Sequence, residues 1–478
     1  MKIVSSAASR AVLLSMAGWA ITVSAASAAT DPGVRAGPGA GDPVPGLTAT
    51  QMTLFLNGQK TFEEVDAVAD GLGPRFNLDG CEGCHAFPTH GGSSPAVNPQ
   101  ATLATAMGAK NTLPPFIVAN GPIREARFQF LPNGQRDGGV HSLFVISGRV
   151  DSSGSAANCT AVQEDFATQF RRGNVSLRIP TPTYGLGLVE NIPDTALTAN
   201  LAANAQQKAA LGISGHLNTN GNDGRVARFG WKAQNVSLLL FSGEAYNVEM
   251  GITNELFQTE RDLNPNCQTL TTPNDITGKN GIADADETLS DIEQFALYMR
   301  FLGAPIPSTT TPGGGASITR GLAAFNSVGC SMCHTPSLKT SNTTVAAFAN
   351  KTVPLFSDLA LHHMGPTLAD NVIQGAAGPD EFRTAPLWGV GQRVFFLHDG
   401  RTNNLVQAIQ LHASGTGTRP NNNVATSDAT ANWGGGGGGG GGGGSSGTAP
   451  SEANRVIANF NNLSAASQQD LLNFLRSL

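Results

Sequence analysis

Two pentapeptides hold most of the chemistry legible in this 478-residue chain, Cys81-Glu82-Gly83-Cys84-His85 and Cys330-Ser331-Met332-Cys333-His334. Thiols at this spacing can each form a thioether with one vinyl group of a single porphyrin, while the adjoining imidazole reaches the iron from the proximal side. A zinc site would need a second Cys or His pair close by in sequence, and neither copy has one. The expected cofactors are two covalently bound haem c groups, attached at Cys81, Cys84, Cys330 and Cys333, with His85 and His334 as iron ligands.

The start of the chain agrees with covalent haem attachment outside the cytoplasm. Lys2 and Arg10 precede an apolar run from Ala11 to Val23 and the small residues Ala26-Ser27-Ala28, the pattern of a secretory signal peptide over residues 1–28. A bacterial periplasm is the expected location. No other stretch is apolar and long enough to span a bilayer. The net charge of −6, the pI near 5.8 and the lack of any Lys/Arg run argue against nucleic acid as a partner. Two cysteines remain, Cys159 and Cys267, and in an oxidising compartment they are expected to form a disulfide, the alternative being two unrelated buried thiols.

A chain of this length exceeds one hydrophobic core. Its 58 glycines and 13% charged residues indicate a loop-rich protein rather than a helical bundle. Residues 29–46 are rich in Pro, Gly and Ala and read as a flexible leader. An amphipathic stretch from Leu47 to Phe62 leads to the first motif, and turn formers follow His85. Strand-like patches lie at Phe116 to Ala119 and Leu143 to Val150, and helix-like segments at Pro193 to Leu211, Asn235 to Asn247 and Asp291 to Leu302. The Thr/Pro/Gly segment 308–315 reads as a linker between an N-terminal haem domain, 47–307, and a C-terminal domain, 316–478. In the latter, a helix over Ile318 to Asn326, the second motif and a closing helix over Ser467 to Leu478 follow the order of a small cytochrome c domain. Within it, the glycine-rich segment 434–447 has nothing to bury and is expected to be a disordered insert.

Several stretches together resemble the di-haem oxidoreductase family, related to the bacterial di-haem cytochrome c peroxidases. They are Cys81 to Pro99, Pro180 to Asp194, Phe229 to Ala233, Met250 to Thr253, Asp358 to Asp370, and Glu381 to His412. The most specific is Phe382-Arg383-Thr384-Ala385-Pro386 followed by Phe396-Leu397-His398-Asp399-Gly400-Arg401. The resemblance implies a mainly α fold of two cytochrome c-like domains, with loop-rich insertions and a few short strands. It also implies peroxide reduction or related oxidative chemistry and, in many members, a calcium ion between the domains. The same frame also hosts oxygenases.

The sixth position on each iron separates a relay from a reaction site. Leu405, Ala408, Ile409 and His412 share one helix face. His412 also occupies the place where the peroxidases carry a methionine ligand, so it is expected as the distal ligand of the second haem. His362 and Met364 are the competitors. A histidine in place of methionine lowers the haem potential. The first iron is expected to be open or weakly held, with His141 the better distal candidate and His90 a surface group. Glu190, among Leu186, Leu188 and Ile192, is the expected acid/base, and Trp231 a residue between the haems. The expected activity is reduction of hydrogen peroxide with electrons from a small c-type cytochrome or cupredoxin. An oxygenase of an organic substrate and a non-catalytic electron-transfer cytochrome are the alternatives.

Overall fold

Both motifs are preceded by a helix that crosses another helix at a glycine. Before the first, the amphipathic stretch folds as Ala49–Phe62, opened by a capping box between Thr48 and Gln51, and packs on Asp291–Phe301. At the crossing a methyl group on Gly58 would overlap the Gln294 carbonyl oxygen. Before the second, Gly315–Val328 packs on Ala465–Ser477, and a methyl on Gly321 would overlap the Asp470 carbonyl oxygen. The backbones approach this closely only because neither glycine has a Cβ.

This computed structural model describes residues 28–37, 39–106, 112–145, 158–262, 264–267, 272–278, 288–414 and 449–478. Residues 1–27 of the expected signal peptide and the glycine-rich segment 434–447 lie outside the described residues. Helix covers 33% and strand 11%, so the fold is mixed, with helices as its principal regular element and much of the chain in loops. Leu238–Met250, capped by the Ser237 hydroxyl, is a third helix at the first motif and also packs on Asp291–Phe301.

A three-stranded antiparallel sheet has Glu125–Phe128 at its centre, between Val140–His141 and Val175–Arg178. A separate pair joins Leu361–His363 to Glu381–Arg383. The expected strand at Phe116 to Ala119 is instead a turn after Pro114-Pro115, in which Phe116 and Ile117 reach the core and Val118 and Ala119 are exposed. The expected long helix at Pro193 to Leu211 is two helices, Asp194–Ala202 and Ala205–Leu211, separated where Asn204 takes a left-handed φ of 58°.

One large core extends from Val44 to Trp388 in sequence, and a second gathers Phe325, Val328, Phe396, Leu405, Phe460 and Phe474 around Cys330, Met332 and Cys333. Residues 29–46, read as a flexible leader, lie in fixed contacts. Asp31 pairs with the buried Arg476 guanidinium at 2.7 Å and accepts from the Leu405 amide, Val44 is buried, and its amide donates to the Phe301 carbonyl. Composition signalled flexibility, but these side-chain and backbone partners supply the order that the segment lacks internally.

Cys159 and Cys267 form the expected disulfide, closing a sequence separation of 108 residues. Thiol titration of the unfolded, haem-loaded protein before reduction should find no free thiol. Replacing both cysteines by serine should cost about 2–5 kcal/mol of stability, read as a lower urea midpoint. Two titratable thiols would contradict the bridge.

Candidate active site

Cys81–Cys84 is a single helical turn that presents both sulfurs and His85 to one space. The Gly92 carbonyl lies 2.9 Å from His85 Nδ1 and the Thr181 backbone also faces the ring. With Nδ1–H donating to that carbonyl, Nε2 keeps its lone pair for a metal. Burial holds the imidazole below its usual pKa, which favours the neutral, ligating form. The Phe62 ring stands edge-on to it at 6.0 Å.

The space is a cavity of about 1190 Å³, its open mouth included. Phe62, Leu78, Ile123, Phe241, Phe295 and Met299 give it apolar walls. Charged groups reach it from three elements. On the central strand, Glu125 and Arg127 project to the same face, and Arg178 sits directly across from Glu125 on the neighbouring strand. On the helix Leu238–Met250, Glu244 and Glu249 line the cavity together with Phe241 and Ala245.

Glu125 and Glu249 share a hydrogen bond between carboxyl groups. Two such groups in contact cannot both ionise, and the surroundings decide which one keeps the proton. Burial, and then the Glu125 charge, pushes Glu249 well above the usual carboxylate range. Burial is the largest single effect on Glu125 and raises it, but the Arg127 guanidinium, 2.6 Å away, the hydrogen bond with Glu249 and the Arg178 charge together outweigh burial and favour the ionised form. Glu249 is further fixed by the Asn77 amide at 2.7 Å. One carboxyl that holds a proton and one that can accept it therefore face the same cavity as His85.

At the second motif, the Phe356 carbonyl lies 3.1 Å from His334 Nδ1, and the Ala408 carbonyl 2.8 Å from His412 Nδ1. Both rings can thus leave Nε2 for a metal. Burial, followed by the nearby His412, pushes His334 down to about 4, which places the two imidazoles as neighbours. The competitors are engaged elsewhere. His362 lies between Asp358 at 3.0 Å and Glu452 at 2.7 Å, with the Cys333 sulfur at 3.8 Å. Met364 packs against Ile179, Trp231 and Phe382.

Glu190 does not line the cavity. Its carboxylate takes a hydrogen bond from Arg300 Nε at 2.8 Å and caps the Leu238 amide at 2.9 Å, so it joins two helices. His141 is also outside the lining, stacked on Phe128 with its ring nitrogens toward Asp137 at 2.8 Å and Glu164 at 3.5 Å. His90 pairs with Glu82 at 2.9 Å. Trp231 does line the cavity, donates to the Ile179 carbonyl, and on its other side meets Phe382 and Met364.

The sequence reading missed Glu125, Arg127, Arg178 and Glu249. The period-2 spacing of Glu125 and Arg127, and the acidic residue closing an apolar helix at Glu249, are the signals that could have found them.

The residues present fit haem. Cys81, Cys84, Cys330 and Cys333 are all outside any disulfide, each pair adjoins an imidazole oriented through Nδ1, and the first pair opens on a largely apolar cavity. Among the described residues, the group of acidic, thiol and imidazole side chains able to hold a metal is Cys333, Asp358 and His362. It does not fit calcium, which takes six to eight oxygen ligands.

A histidine-bearing, largely apolar cavity with a proton-sharing acid pair suits oxidoreductase chemistry at a bound cofactor. The chain belongs to the family described as "Di-haem oxidoreductase, putative peroxidase", which residues 134–431 match. That match begins beyond Cys81–His85, so the first motif rests on its own residues. No curated protein matches the sequence. Among the described residues, no helix is long and apolar enough to cross a membrane.

Proposed function

We propose that this chain is an exported c-type di-haem peroxidase, with its reaction site in the cavity at Cys81, Cys84 and His85 and an electron relay at Cys330, Cys333 and His334. The observation that carries the reading is the Glu125–Glu249 pair in the same cavity as His85. The two helix pairs crossing at Gly58 and Gly321 support cytochrome c-like units around the two motifs.

Bound haem would supply the redox equivalents for reducing peroxide, one group at each motif. The protein's part is positional and protonic. His85 and His334 would hold the irons, and His412 would fill the remaining position at the second motif. Glu249 holds a proton at its carboxyl, and Glu125 takes one up as Glu249 gives its own to the leaving oxygen. Phe241, Phe295 and Met299 limit water near that exchange. Trp231, in contact with both the cavity and the residues beside the second motif, would carry electrons between the groups. Glu63, Glu64, Asp79 and Glu82 surround a recess beside the first motif, which suits a small cytochrome or cupredoxin donor with a basic face.

The test is a spectroscopic titration of the loaded protein. The oxidised or half-reduced form should show one low-spin bis-histidine haem and one haem that binds peroxide, and turnover should require peroxide rather than dioxygen. Two six-coordinate haems inert to peroxide in both states would leave only a relay. Turnover with dioxygen and an organic substrate instead would establish an oxygenase.

A further inference from the structure

We infer that Arg383 and Arg393 form a buried anion site that receives propionate carboxylates of a bound porphyrin. The inference rests on the di-haem reading and extends it to residues that the catalytic argument does not use. Both side chains are nearly out of solvent, 8% and 9% exposed. Arg383 donates from Nε to the Gly230 carbonyl at 2.8 Å and from Nη1 to the Thr384 carbonyl at 3.4 Å, so it meets backbone oxygens and no carboxylate. The Arg393 guanidinium has no hydrogen-bond or ion-pair partner among the described residues, and its Nε is fully buried.

Several other buried cations of this protein have an acid, although Lys208 donates to the Asn200 and Leu201 carbonyls instead. Arg127 has Glu125, Arg178 and Lys232 share Asp370, and Arg476 has Asp31. Arg383 and Arg393 are instead near each other, and burial, joined at Arg383 by the Arg393 charge, pushes both down to about 10. The charged groups around them are committed: Arg476 to Asp31, Lys232 to Asp370, and Glu381 to His216 at 2.7 Å. A desolvated guanidinium costs several kcal/mol unless an anion accompanies it. Two together point to an anion from outside the chain.

Their position indicates which anion. Arg383 ends the strand that pairs with Leu361–His363, where His362 touches the Cys333 sulfur, and the Arg383 Nε donates to the carbonyl of Gly230 in the first cavity wall. Arg393 follows the turn Val390–Gln392, in the segment that continues to Phe396 in the core around Cys330 and Cys333. The pair stands between the two motifs. A planar guanidinium fork matches a carboxylate in shape and charge, and the propionates are the carboxylates a porphyrin brings.

The experiment measures the reduction potential of each haem against pH, from about pH 5 to 8, in the loaded protein. In the wild type, a propionate held ionised by arginine should leave the potential of its haem nearly flat. In Arg393→Gln or Arg383→Gln that propionate should titrate within the range, binding its proton more tightly in the reduced state. The potential should then fall with rising pH, by up to the slope of one proton per electron, whereas Arg393→Lys should stay near wild type. The haem that gains the slope identifies whether the first or the second porphyrin supplies the carboxylate. If one glutamine variant fails to accumulate, the other carries the test. Two attached haems with unchanged slopes in the glutamine variants overturn the arginine site alone. A single attached haem, by intact mass and haemochrome content, overturns the di-haem reading and this inference with it.

Discussion

Glu249→Gln is expected to slow peroxide turnover by about 100- to 10,000-fold, the usual contribution of a positioned general acid or base, with both haems still attached. The substitution preserves the shape of the side chain and its hydrogen bond to Asn77 but removes the proton shared with Glu125. The pH profile adds a signed test. Glu249 is raised well above the ordinary carboxylate range by burial and by Glu125, so the wild-type rate should fall as pH rises through that raised value. Glu249→Gln should flatten that alkaline limb. Glu190→Gln is the control, because the Glu190 carboxylate is occupied by Arg300 and the Leu238 amide, and it should turn over near the wild-type rate. The reverse result, a fast Glu249→Gln and a slow Glu190→Gln, would return the acid/base role to Glu190.

His412→Met should raise the potential of the second haem while keeping it six-coordinate and low-spin. His412 follows the helix Leu405–Gln410 by two residues and is a neighbour of His334, and methionine is long and unbranched enough to occupy the same space. Thioether ligation stabilises the reduced iron relative to imidazole. Axial ligands set haem potentials over a range of roughly 0.8 V, so the rise should be unmistakable. Redox titration with the visible spectrum checks it. An unchanged potential and unchanged spectrum would show that another side chain holds the position, and His362 could do so only by giving up Asp358 or Glu452.

The comparison of expectation with structure divides along the range of the interactions. Amphipathic periodicity marked Ala49–Phe62, Asp291–Phe301, Gly315–Val328 and Ala465–Ser477, because a helix is built from contacts three and four residues apart. Asn204 divided a predicted helix, since one residue's left-handed backbone does not disturb the hydrophobic pattern around it. The order in residues 29–46 was hidden for a related reason: Asp31 and Arg476 are at opposite ends of the sequence.

Glu190 and Glu249 show the same limit at the site. Both are acids among apolar residues, and the sequence reading singled out Glu190 alone. In the structure Glu190 meets an arginine and a helix amide, whereas Glu249 meets a second carboxyl from a strand more than a hundred residues earlier. The sequence by itself determined the two haem motifs and the family they indicate, because thioether and imidazole chemistry is written in consecutive residues. Only the tertiary structure decided which carboxyl faces the cavity, which one holds the proton, and which buried arginines were left without an acid. Those properties depend on distance, burial and neighbouring charge, and all three are set by residues far apart in the chain.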